Sequence, residues 1–151
     1  MTSTDSRSEP ITGSCLCGAV HYEIAGKPVW AHNCHCRRCR KIRGAAFASN
    51  LFAPLDTFRW TRGEDRLRSW KLPEAERFTH VFCGVCGSSL PFLNTERGLV
   101  VVPMGSLDVD PEHAPDAHIY VDSKAPWFAI TDELPRHPEG LGSAPKPSPS
   151  R

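Results

Sequence analysis

Three cysteines fall within six residues, Cys34-His-Cys36-Arg-Arg-Cys39, and two close pairs flank them, Cys15-Leu-Cys17 upstream and Cys83-Gly-Val-Cys86 downstream. All seven cysteines of the 151-residue chain lie in these three clusters. Thiols two or three residues apart rarely offer the Cβ geometry of a relaxed disulfide. Metal ligation suits them better, because zinc prefers thiolates and one turn of chain can present two sulfurs to one ion. Seven ligands divide into four and three. Gly18 follows Cys17 and Gly87 follows Cys86, whereas Arg40 follows Cys39. A residue free to take positive φ after the second cysteine lets backbone N–H groups turn towards the sulfurs, which groups the two glycine-tailed pairs. Cys15, Cys17, Cys83 and Cys86 are therefore expected to form a closed structural four-thiolate site. Cys34, Cys36 and Cys39 then supply three protein ligands and leave the fourth position to a substrate, the pattern of a catalytic metal. Two other arrangements fit the spacing. His32, His35 or a distant histidine would close the trio into a second staple, and a zinc ribbon of Cys36, Cys39, Cys83 and Cys86 would strand the remaining three cysteines.

Arg37, Arg38, Arg40, Lys41 and Arg43 crowd around the trio. They read either as the solvated face of a short helical turn or as cations that offset a zinc tris-thiolate and hold the carboxylates of an acidic ligand. Arg37, Arg38 and Arg43 are the candidates for the second role.

The elements that must position these groups read as short strands. Val20, Tyr22 and Ile24 alternate with His21 and Glu23, the period-two pattern of a half-buried strand with His21 outward. After the turn Gly26-Lys-Pro28, Val29-Trp-Ala31 reads as a strand that delivers the chain into the three-cysteine loop. The small apolar run Gly44-Ala-Ala-Phe-Ala-Ser49 suits a strand behind that loop. Phe58-Arg-Trp60, 67–71 and 77–82 look like further strands in a meander, with Trp60 and Trp70 expected in the core. Leu90-Pro-Phe-Leu93 is strand-like, with Pro91 suited to an edge. The run 99–102 is strongly strand-like, Gly105-Ser-Leu-Asp108 reads as a turn, and His118-Ile-Tyr-Val121 as a last strand. His118 is expected to be a hydrogen-bonded structural group rather than a ligand, and stays a candidate because it could turn towards the open metal.

A 40% hydrophobic content at this length suits one domain with a modest core that bound ions would help to fix. The expected division is an arm over 1–10, a zinc-binding domain over 11–136 and a Pro/Ser-rich tail over 137–151. A formal net charge of +1 gives no reason to expect nucleic acid or an anionic membrane as partner. The N-terminus is polar and of mixed charge, unlike a signal peptide, and no apolar run approaches a membrane span. An odd number of clustered cysteines fits a reducing compartment, so a cytoplasmic protein is expected.

Taken in order, Gly13-Ser-Cys-Leu-Cys-Gly-Ala-Val, Cys34-His-Cys-Arg-Arg-Cys-Arg-Lys with Gly44-Ala-Ala-Phe, Phe58-Arg-Trp, Phe82-Cys-Gly-Val-Cys-Gly-Ser, Gly105-Ser-Leu-Asp and His118-Ile-Tyr resemble the glutathione-dependent formaldehyde-activating enzyme family, also called the S-(hydroxymethyl)glutathione synthase family. The resemblance spans about residues 11–136. It implies a mostly β fold of compact folded-over antiparallel sheets around a structural zinc held by Cys15, Cys17, Cys83 and Cys86, with a catalytic zinc on Cys34, Cys36 and Cys39. It further implies a carbon-sulfur lyase that adds the thiol of glutathione to formaldehyde.

A three-thiolate zinc is a mediocre polariser of carbonyls but can bind and deprotonate an incoming thiol. The chemistry expected is addition of a small thiol, glutathione or similar, to formaldehyde or a related electrophile. The rival expectation is a non-catalytic, zinc-stabilised module that binds a thiol or a partner.

Overall fold

The computed structural model describes residues 9–147, so most of the expected arm, and the last four residues of the expected tail, lie outside the described residues. In chain order the elements are β1 (Ile11–Ser14), β2 (His21–Ile24), β3 (Trp30–Cys34), α1 (Arg37–Arg43), β4 (Ala48–Pro54), β5 (Phe58–Arg62), β6 (Leu67–Lys71), β7 (Thr79–Cys83), β8 (Ser89–Leu90), β9 (Phe92–Asn94), β10 (Leu99–Pro103) and β11 (Ala117–Ile119). They make a mostly β protein of three small sheets, ordered β1-β2-β5, β11-β3-β4-β10-β9 and β6-β7-β8. Every pairing is antiparallel except β11 on β3. No described helix is long and apolar enough to cross a membrane.

Period-two patterning drives the assembly. In β2 the buried residues are Tyr22 and Ile24, while His21 and Glu23 are half-buried on the other face. Their inward faces meet Ile11 and Val20 from the same sheet and Leu51, Ala53, Val100 and Val102 from the five-stranded one. Burial of such aliphatic side chains, each contributing roughly 1.5–3 kcal/mol, makes this layer contact the main apolar core. Cys15 and Cys83 belong to the same cluster.

The expected meander holds for β6, β7 and β8, which are consecutive and antiparallel. It does not hold for β5, which returns to pair with β2. The aromatic cluster of Tyr22, Phe58 and Trp60, with ring centroids 4.9 to 6.0 Å apart, accounts for that return. Trp70, expected in the core, is 49% exposed because β6 is a sheet edge on which only Leu67 turns partly inward. Pro91 sits where the chain leaves the β7-side sheet and becomes the edge strand β9 of the five-stranded one, a place where its missing N–H breaks no ladder.

β11 pairs with β3 in the register Ala117 with His32, His118 with Asn33 and Ile119 with Cys34. Residues 135–147 then fold back over β11: the His118 N–H donates to Pro135 O, the Tyr120 N–H to Glu139 O, and the His137 N–H to His118 O. This segment covers the open side of a strand that would otherwise present unpaired backbone groups.

Candidate metal centre

The sulfurs gather into two groups, Cys15, Cys17, Cys83 and Cys86 in one and Cys34, Cys36 and Cys39 in the other, each with all its ligand atoms within 4.8 Å of one another. Among the described residues no histidine or carboxylate joins either group. The zinc-ribbon arrangement of Cys36 and Cys39 with Cys83 and Cys86 is therefore not the one adopted.

Each half of the first group is the tight end of a hairpin. Cys15 follows β1 and the chain turns through Gly18 into β2; Cys83 ends β7 and the chain turns through Gly87 into β8. The two turns repeat the same bonds. Gly18 N–H donates to Cys15 O and Cys15 N–H to Val20 O, while Gly87 N–H donates to Cys83 O and Cys83 N–H to Ser88 O. Gly18 and Gly87 both have φ of 79°, a left-handed conformation costing an L residue about 1–2 kcal/mol. The turn then aims amides at sulfur: the Val20 N–H lies 3.3 Å from Cys15 Sγ and the Val85 N–H 3.3 Å from Cys83 Sγ. The halves are tied directly by the Leu16 N–H donating to Ser88 Oγ at 3.0 Å.

The donor set fits zinc. Sulfurs at the corners of a tetrahedron about 2.3 Å from its centre lie about 3.8 Å apart. The Cys15 and Cys17 sulfurs are 3.6 Å apart and those of Cys17 and Cys83 3.9 Å, close to that edge and far beyond a disulfide bond. The Ser88 hydroxyl, bonded to the Cys86 sulfur at 3.1 Å, holds that thiol down to about 5, ready to ligate as thiolate.

The second group is built on a different local frame. Cys34 is the last residue of β3, Cys36 caps α1, and Cys39 lies one turn inside it. Cys36 takes extended backbone angles, φ −65° and ψ 153°, and its sulfur accepts the Cys39 N–H at 3.3 Å, as an N-cap side chain does. The helix ends at Gly44, whose φ of 59° forms a left-handed cap with its N–H on Arg40 O, and Arg40, Lys41 and Arg43 complement the dipole in the last turn. Hydrogen bonds from Cys34 and Cys39 and from the helix amides press the Cys36 thiol strongly down, towards the thiolate. The same contact with Cys36 pushes Cys34 up, and both partners push Cys39 upward as well.

His35, between two of these cysteines, is fully buried. Its ring turns away from the sulfurs: Nε2 lies 2.8 Å from His118 Nδ1, and His118 Nε2 lies 3.0 and 3.1 Å from the two Asp132 oxygens. Burial, with the charges of His118, Lys124 and Arg40 adding to it, lowers the His35 imidazole to about 4, so it is neutral at physiological pH. His32 lies in β3 against the Phe52 ring, 4.8 Å between centroids, and burial lowers it to about 4 too.

The three candidate arginines are placed differently. Arg37 is exposed on α1. Arg38 lies over the Phe78 ring at 6.0 Å and lines a shallow groove with Glu74, Glu76 and Arg77. Arg43 is half-buried, donates to Asn50 Oδ1 at 3.2 Å, and lines a 210 Å³ cavity together with Cys39, Asn50, Phe78 and His80. It also borders a larger cleft of 580 Å³ whose walls include Cys15, Ser49, Ser88, Ser106 and Asp108. The 580 Å³ cleft thus lies beside the four-sulfur group, and Arg43 is the wall it shares with the cavity at Cys39.

Sequence reasoning missed Asn50, His80 and Asp132. Asn50 and His80 reach this region through the pairing of β4 and β7, and Asp132 through the irregular segment after β11; no spacing signal marks any of them.

Comparison with known proteins is consistent with this architecture. A crystal structure of a Rhodobacter sphaeroides protein, a structural genomics target, is 27% identical and superposes with a TM-score of 0.54, covering 68% of this chain and 93% of that one. The family model for the glutathione-dependent formaldehyde-activating enzyme matches residues 10–123. A match over that span, carrying both sulfur groups in their folded positions, shows that the chain belongs to the glutathione-dependent formaldehyde-activating enzyme family.

Proposed function

We propose that the protein is a zinc-dependent carbon-sulfur lyase of the S-(hydroxymethyl)glutathione synthase type, adding a small thiol to formaldehyde or a related aldehyde. The observation that carries this reading is the trio itself: three convergent sulfurs, no fourth protein ligand within 4.8 Å among the described residues, and a cavity opening at Cys39. Cys34, Cys36 and Cys39 would hold the catalytic zinc, and Cys15, Cys17, Cys83 and Cys86 the structural one. When bound to three sulfurs, zinc lowers the pKa of an incoming thiol so that it is held as thiolate near pH 7.

The chain's own residues then have three tasks. Arg43, cationic and beside Cys39, offsets the negative charge of the sulfurs and offers a guanidinium to a carboxylate of the thiol compound. Asn50 fixes the guanidinium through its side-chain oxygen. The apolar walls, Ile42, Phe78 and Leu90, keep the reacting pair close and limit water. The thiol proton leaves to solvent, the sulfur pair forms the C–S bond to the aldehyde carbon, the C=O π pair moves to oxygen, and that alkoxide takes a proton from water. The sum is thiol plus aldehyde giving the S-hydroxymethyl adduct. Arg38 and Arg37, on the outer side of α1, are assigned to the solvated face.

Adduct formation from glutathione and formaldehyde, followed by NMR exchange with and without the zinc-loaded protein, tests this reading. An exchange rate unchanged by the protein would leave the trio as the fixed loop of a binding module.

A further inference from the structure

The metal-ligand loop is held from behind by a buried polar chain that the thiol chemistry does not use. His35 has no exposed surface, and among the described residues its Nδ1 has no hydrogen-bond partner, so the polar anchoring of the ring there runs through Nε2 to His118. An ionised carboxylate only accepts, so Asp132 requires the proton on His118 Nε2. The hydrogen bond between His118 Nδ1 and His35 Nε2 continues the line from that carboxylate to the loop. Phe47 packs on both rings, at 5.0 Å from His35 and 6.0 Å from His118 between centroids. The backbone adds a parallel restraint, since the His35 N–H donates to Ile119 O at 2.9 Å and Ile119 pairs with Cys34.

The His35 ring, packed against Phe47 and Phe128 and bonded to His118, anchors its own Cα, and Cys34 and Cys36 flank that Cα directly, so the peptide units that set both sulfurs are attached to a fixed point. We propose that His118 and Asp132 are positioning residues for the three-cysteine metal site, acting through the His35 ring to hold the Cys34 to Cys36 backbone in its ligating conformation. The proposal rests on the reading of the trio as a metal site and goes beyond it by assigning residues that touch neither metal nor substrate.

The test is metal retention in the full-length, zinc-loaded protein. Asp132 is the gentle place to cut, since its side chain is 48% exposed, whereas His118 is buried. In Asp132→Ala, release to a chromophoric chelator is expected to be biphasic, with one equivalent leaving about 10 to 100 times faster than in wild type and the other unchanged. Asp132→Glu should restore much of the wild-type rate. Cobalt-substituted Asp132→Ala should show altered ligand-field bands from one site only, and nitrogen-resolved NMR should show the His35 Nε2 resonance moving as its bond to His118 loosens. Wild-type release of both ions, or equal loosening of the two, would overturn the proposal. Absence of adduct formation by wild-type protein that retains both ions would defeat the proposed activity and leave this result standing.

Discussion

The four-sulfur and three-sulfur groups use the same element in opposite ways. In the first, two hairpin ends from different sheets meet, each glycine-tailed, and the sulfurs join parts of the chain 66 residues apart, as between Cys17 and Cys83. In the second, strand, cap and helix supply three sulfurs from six consecutive residues, and His118 braces the loop from outside that run. A weld between remote segments contributes to the fold when it closes; a local loop can gain or lose its ion while the surrounding sheets persist. β7 connects the two, with Cys83 in the first group and His80 on the cavity beside Cys39.

Breaking the weld should give the largest effect. Cys83→Ser is expected to abolish cooperative thermal unfolding and release both ions, since structural zinc binding in small domains is worth on the order of 10 kcal/mol of folding free energy. Circular dichroism with elemental analysis checks this. If Cys83→Ser keeps its fold, the contrast collapses. Cys36→Ser should instead lose about one equivalent of zinc and the adduct-forming activity while keeping a wild-type far-ultraviolet spectrum; unfolding would make both groups structural.

A smaller effect sharpens the role of the cavity. Arg43→Ala should raise KM for glutathione about 10-fold or more, the loss of a charge-assisted hydrogen bond of roughly 1.5–3 kcal/mol, and Arg37→Ala should leave KM unchanged. Initial rates over a glutathione series separate the two.

The pH response bears on β3, which feeds the loop. His32 and His35 are kept neutral by burial, with values near 4 against an ordinary 6.5. An unfolded chain takes protons below pH 6.5 that the folded one refuses. Stability is therefore fully present above that pH and falls as pH drops from 6.5 towards 4. Thermal melts across this window should show a decreasing Tm, and His32→Gln should flatten the slope.

The smallest expected effect is at the turns: Gly87→Ala, where a Cβ meets nothing within 4 Å, should cost about 1 kcal/mol from its φ alone. Calorimetry of the zinc-loaded protein measures it.

What the sequence made legible was local. Gly18 and Gly87 announced matching turns because positive φ is a single-residue property, and so the division of sulfurs followed. The alternation at Val20, Tyr22 and Ile24 marked β2 for the same reason. What stayed hidden depends on pairing between distant segments: the return of β5 to β2, the exposure of Trp70 on an edge, and the line from His35 through His118 to Asp132. His118 stood out as a lone histidine, but nothing near it in the chain pointed to Asp132 or to a strand running parallel to β3.

That parallel strand has a consequence for biosynthesis. A ribosome delivers the three-cysteine loop early, the partners that complete the hairpin weld only once Cys86 has emerged, and β11 with Asp132 last of all. A nascent chain thus displays three reactive sulfurs before the brace behind them exists, and capture of an ion at that stage would be provisional until the final third of the polypeptide folds down over it.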